Sequence, residues 1–176
     1  MNIKNTIFNN NDPSYTAKYG WQKQLKEDIF TFGYIDSYKD AADLLVDKMI
    51  PDLYIFPIMF CYRQYLEQLL KNICYKNMEK DDYKNLIKKV SHNLIQVWKV
   101  SKTFLESDVS KENLDMINEV IKIFDSLDPD SFRFRYEFDK KLNRSIKEKS
   151  LTINTFELKN LIDKIDTCLY FTYECI

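Results

Sequence analysis

Two glycines and four prolines in 176 residues leave the chain few places to reverse direction sharply, and this scarcity constrains the fold more than any motif. Sandwiches and barrels need turn residues roughly every ten positions. A chain so poor in them is directed toward long helices. The apolar pattern agrees, because Ile58, Tyr62, Tyr65, Leu66, Leu69 and Ile73 recur at intervals of three and four, the period of one helical face.

Extending this reading gives an all-α chain. Ser37 is placed to cap a first helix, Tyr38 to Met49, which Pro51 ends. A central helix from Leu53 to Asn77 follows, with Pro57 marking its first turn or a kink. A short polar helix covers Asp81 to Val90. Ser91 opens the next, with Leu94, Val97, Trp98, Phe104 and Leu105 inward, and Ser110 opens another through Leu114, Ile117, Val120, Ile121, Phe124 and Leu127. After the turn signal Asp128-Pro129-Asp130-Ser131 the period changes. Phe132, Phe134, Tyr136 and Phe138 alternate with Arg133, Arg135 and Glu137, which predicts a strand, paired across the basic loop 139–150 with a second strand at Leu151 to Ile153. Asn154 and Glu157 resemble a capping box at the start of the last helix. The expectation is about five helices with a short β-hairpin before the last.

Hydrophobic residues at 45% can fill a core and charged residues at 30% can solvate its surface, and no Pro-, Gly- or Ser-rich linker divides the chain. One domain over residues 1–176 is expected, with residues 1–35 an irregular arm whose Trp21, Phe30, Phe32 and Tyr34 pack on the bundle. Cys61, Cys74, Cys168 and Cys175 have neither CxxC nor metal spacing and are read as reduced, packed thiols. The N-terminus lacks an apolar leader, and the apolar run from Leu53 to Tyr62 is about half of what a bilayer span requires. A cytoplasmic protein without membrane segments, resident metal or cofactor is expected.

Net charge is −1, so a polyanion partner would need a local patch. Arg133 and Arg135, set between aromatics, present forks that fit phosphate and rings that stack on bases; Lys140, Lys141, Arg144, Lys147 and Lys149 extend the basic segment. The plainer reading is a solvated loop with its aromatics turned inward. Arg63, Glu67 and Lys71 form an i, i+4 row, either a surface ladder or a row drawn into the bundle to hold an anion. His92 is the only imidazole. In the first turn of a helix it would stay neutral, suited to act as a base or ligand group, or with Ser91 it would simply satisfy free backbone groups. A Gly-rich phosphate loop, HExxH and GxSxG are all absent.

Taken in order, YRQYLEQLLKN, SHNL and DPDSFRFRYEFD resemble the HEPN superfamily of helical prokaryotic proteins associated with nucleotides and RNA. The matching positions are Glu67 and Lys71, His92 and Leu94, and Arg135 and Tyr136, within residues 54–138. The Arg that precedes the His in the family's ribonucleases has no counterpart at positions 86–88. Asn93 stands where Asp is frequent, and Glu137 where Pro is frequent. The resemblance implies a bundle, often a homodimer or bound to a partner protein, from a toxin–antitoxin or antiviral defence system. It implies RNA or nucleotide as ligand. As a metal-independent endoribonuclease the chain would use His92 as general base or acid, with Arg63 or Arg135 stabilising phosphorane charge. The remaining reading is a non-catalytic structural or regulatory protein.

Overall fold

The computed structural model describes residues 27–146 and 151–172. Among these are six α-helices: α1 (Glu27–Asp47), α2 (Pro51–Asn77), α3 (Lys80–Val90), α4 (Leu94–Thr103), α5 (Lys111–Leu127) and α6 (Thr155–Leu169), the last followed by a 3-10 turn at Tyr170–Thr172. None is long and apolar enough to cross a membrane.

The long helix α2 is the axis of the fold. Pro51 fits its first turn because its missing N–H has no intrahelical partner there, and Asp52 and Lys76 suit the positive and negative ends of its dipole. Pro57 is accommodated inside the helix near its exposed start. From Ile58 onward the helix is buried on nearly every side, carrying Ile58, Met59, Tyr62, Tyr65, Leu66, Leu69, Leu70, Ile73 and Cys74 into the core. It lies along α1, crosses α4, and touches α3 and α6. Each buried Leu or Ile contributes about 1.5–3 kcal/mol, so α2 supplies much of the cohesion. The buried apolar side chains from Ile35 to Leu169 form one cluster. Burial pushes the Cys74 thiol up to about 11, and Cys61 and Cys168 are free thiols raised in the same direction. Cys175, Lys147 and Lys149 lie outside the described residues.

The caps at Ser110 and Asn154 form as expected: Ser110 Oγ accepts from Asn113 N, and Asn154 Oδ1 accepts from Phe156 N and Glu157 N. Three expectations are corrected. Helix α1 already runs at Glu27, so Ser37 is interior and residues 27–35 are not an irregular arm; the rest of that arm lies outside the described residues. Ser91 does not cap α4. It terminates α3 with φ 49°, and Asn93 is the N-cap, its side chain accepting from Gln96 N. His92 therefore sits in the link between two helices rather than in a first turn. Finally, the described residues contain no β-hairpin. Asp128 Oδ1 accepts from both Phe132 N at 2.6 Å and Arg133 N at 2.8 Å, and Arg135 N and Tyr136 N donate to Phe132 O, so these groups close turns and are unavailable to a ladder. Only an isolated bridge between Phe138 and Arg144 remains, and Leu151 to Ile153 is not a strand.

Candidate functional site

The i, i+4 row on α2 is drawn into the protein. Arg63 is fully buried, and each of its three nitrogens donates to protein. Nη1 reaches Glu67 Oε2 at 2.6 Å, Nη2 the backbone oxygen of His92 at 2.6 Å, and Nε the backbone oxygen of Asp128 at 2.9 Å. Asp128, also fully buried, places Oδ2 3.7 Å from Arg63 Nε. One guanidinium thus ties the middle of α2 to the α3–α4 link and to the loop that leaves α5.

Glu67 is the other hub. Its Oε1 accepts from Lys71 Nζ at 2.6 Å and lies 2.9 Å from His92 Nδ1. Burial pushes its carboxyl upward, but the Lys71 ammonium and the Arg63 guanidinium outweigh that effect and hold it below the usual range. The carboxylate is an acceptor only, so His92 carries its proton on Nδ1 in this contact. The imidazole is about half exposed, at 54%, and no described residue bonds Nε2. Ser91, in left-handed backbone, turns the chain so that the carbonyl of His92 meets Arg63 while its ring meets Glu67.

The loop clamped through Asp128 carries the predicted basic residues. Arg133 Nη1 donates to Leu127 O at 3.2 Å, capping the C-terminal carbonyls of α5. Arg135 Nε donates to Ser131 O at 2.8 Å, and its guanidinium lies 5.8 Å from the Phe60 ring centroid and 5.2 Å from that of Tyr136. Ser131 has φ 55° and is fixed by Gln64, whose Nε2 donates to its Oγ. Arg133, Arg135 and Arg144 line a cavity of ≈ 470 Å³ with Phe56, Tyr136 and Glu137. Phe134, Ser145 and Ile146 complete the lining, which thus combines arginines and one carboxylate with aromatic and aliphatic side chains. Lys140 and Lys141 are exposed on the next turn, where Asp139 Oδ1 accepts from Lys141 N and Asn143 N, and they do not line the cavity.

No family model, curated protein or solved structure matches the chain. Of the residues singled out in the sequence, Arg63, Glu67, Lys71 and His92 share one bonded network, while Arg133, Arg135, Tyr136 and Arg144 share the cavity. Arg135 does not bond to the His92 network; the two groups are joined through Asp128 and its loop and through α2, where Phe60 lies under Arg135 and Gln64 holds Ser131. Asp128 and Ser131, read from the sequence as a turn, and Glu137, read as part of an alternation, are participants as well, as are Gln64 and Phe56, which no sequence pattern singled out.

A second polar cluster joins α1, α2 and α6. Lys39 Nζ bonds both Asp43 and Asp163, Tyr62 donates to Asp43 at 2.6 Å, and Tyr65 donates to Asp166 at 2.8 Å. Burial lowers the affinity of Lys39 for its proton, yet the two carboxylates overcome this and hold it above the usual range. Asp36 is the strained member. Its carboxyl is raised to about 6 by burial, then by repulsion from Asp166 and Asp40, against the attraction of Lys39, and its Oδ2 has no hydrogen-bond partner. Because the folded value lies above the ordinary carboxyl value of 3.8, folding binds a proton between these pH values. Stability from this group is full below about pH 4 and is lost as pH rises through about 6. Asp36→Asn should therefore stabilise the protein at pH 7.5 by about 1 kcal/mol after allowance for solvent screening, and by nothing at pH 4. Thermal melts at the two pH values check this; an equal effect at both would assign it to something other than titration. Among the described residues no group of three His, Cys, Asp or Glu is placed to hold a metal ion.

Proposed function

We propose that the chain is a HEPN-like RNA- or nucleotide-binding protein of a prokaryotic defence or toxin–antitoxin system, acting through the cavity beside the Asp128 loop. The observation that carries the binding is the convergence of Arg133, Arg135 and Arg144 with Phe56 and Tyr136. Guanidinium forks meet phosphate, and an aromatic face accepts a base without demanding its identity. Lys140 and Lys141, exposed on the next turn, extend the positive surface for a longer strand. Arg63, Glu67 and Lys71 serve as the frame, since their charges are satisfied by one another, by His92 and by Asp128. The assignment to a defence system rests on the resemblance of the motifs, as does assembly into a homodimer or with a partner protein.

The test is fluorescence anisotropy with a short single-stranded RNA across 50–200 mM salt. Three phosphate contacts give a log–log slope of about −2. The double substitution Arg135→Glu, Arg144→Glu should weaken binding at least roughly tenfold while leaving the circular-dichroism spectrum intact. A folded double variant that binds as tightly as the parent removes the cavity as the site.

The second reading, a metal-independent endoribonuclease, is favoured by one observation: Glu67 orients His92 with Nε2 open to solvent. In that reading Nε2 accepts the proton of the attacking ribose hydroxyl, and Glu67 stabilises the imidazolium that results. Phosphorane stabilisation falls to a cavity arginine such as Arg135, because Arg63 is buried and engaged. RNA cut by the parent and spared by His92→Ala would establish it; RNA left intact by both returns the protein to binding alone.

A further inference from the structure

We propose that the cavity selects guanine, with Glu137 reading the base edge; this rests on the nucleotide-binding reading above. Glu137 is the carboxylate in a lining that otherwise carries three guanidinium groups and aromatic rings. Against a bare phosphate chain such a group is repulsive, whereas a ligand that also brings hydrogen-bond donors gives it a partner. Its ion pair among the described residues is long and open to solvent: Arg144 Nη2 is 4.0 Å from Oε1, and both side chains are largely exposed, so the carboxylate can still accept from a ligand.

Local backbone bonds set the main chain from which this side chain projects. Ser145 N donates to Glu137 O at 2.8 Å, and Asp139 N donates to Asn143 O at 2.9 Å, closing the segment so that Glu137 and Arg144 face each other beside the bridge of Phe138 to Arg144. The half-exposed Phe56 makes no ring pair among the described residues and offers a stacking face.

The edges of the four bases then decide the preference. Guanine presents two adjacent donors, N1–H and the 2-amino group, which a carboxylate accepts together. Adenine and cytosine each place a ring-nitrogen lone pair beside their amino group, and uracil sets its single N–H between two carbonyl oxygens. Each of these turns a lone pair toward at least one carboxylate oxygen. The cavity thus offers a carboxylate for the base edge, a ring for its face and guanidinium groups for the attached phosphate. Free guanosine monophosphate and a guanosine within a single strand carry the same groups.

Calorimetric titration of the full chain with GMP and AMP tests this, alongside a uridine oligomer carrying one central guanosine and the same oligomer with adenosine. GMP should bind roughly tenfold more tightly than AMP, the gain expected of one bidentate pair. Glu137→Gln, an exposed and nearly isosteric change, should erase that ratio by weakening GMP alone. Preference seen only between the oligomers also supports the proposal and places the guanosine within a strand. Equal affinity within each pair, or a preference that survives in Glu137→Gln, overturns guanine selection while leaving the nucleotide-binding reading in place. Absence of binding by all four probes overturns both.

Discussion

Replacement of Arg63 by methionine should lower the unfolding free energy by about 3–5 kcal/mol, the usual consequence of removing one partner from a buried ion pair. Methionine fills much of the volume, so the loss reports charge and hydrogen bonding rather than a cavity. Three acceptors are orphaned at once: Glu67 Oε2, His92 O and Asp128 O. Glu67 keeps Lys71 and His92, which limits the damage on that side. The paired change Arg63→Met, Glu67→Gln should recover part of the loss, because the buried carboxylate no longer needs a cation. Urea denaturation measures both, and an Arg63→Met protein within about 1 kcal/mol of the parent would mean that the network contributes little.

Asp128→Ala should cost about 2–4 kcal/mol, from two half-buried N–H groups left without an acceptor and a buried guanidinium with less opposing charge. Asp128→Asn retains a carbonyl oxygen for Phe132 N and Arg133 N and should recover about half of that. Since Asp128 and Arg63 act on each other, the double variant Arg63→Met, Asp128→Ala should be less destabilised than the sum of its parts, by at least about 1 kcal/mol. Strict additivity would show the two to be independent. RNA affinity of Asp128→Ala should fall as well, because the loop it holds carries Arg133 and Arg135 into the cavity.

Local rules predicted local features well. The apolar period located α2, α4, α5 and α6 to within a few residues, and Ser110 and Asn154 cap where their side chains can reach the first free N–H groups. Two cap candidates competed in Ser91-His92-Asn93, and Asn93 won because Ser91 is used to end α3 in left-handed backbone. The alternation from Phe132 to Phe138 imitated a strand. Its N–H groups, however, were claimed by Asp128, four and five residues away, and by the carbonyl of Phe132, a competition that hydropathy does not encode. The spacing of Arg63, Glu67 and Lys71 was visible, but whether that row faced water depended on acceptors far along the chain. For the same reason the cluster around Lys39 was invisible: Asp43, Asp163 and Asp166 look like solvated helix surface until α1 and α6 are laid against α2.

The bonds of Arg63 also bear on how the protein comes apart. They join positions 29 and 65 residues distant along the chain, so they form only after α3, α4 and α5 have settled around α2. Contacts that close after the rate-limiting step hold the folded form by slowing escape from it rather than by speeding its assembly. The guanidinium is thus expected to act as a latch on lifetime: Arg63→Met should accelerate unfolding while refolding keeps nearly its original pace, and stopped-flow kinetics that slow refolding instead would place these bonds in the folding nucleus.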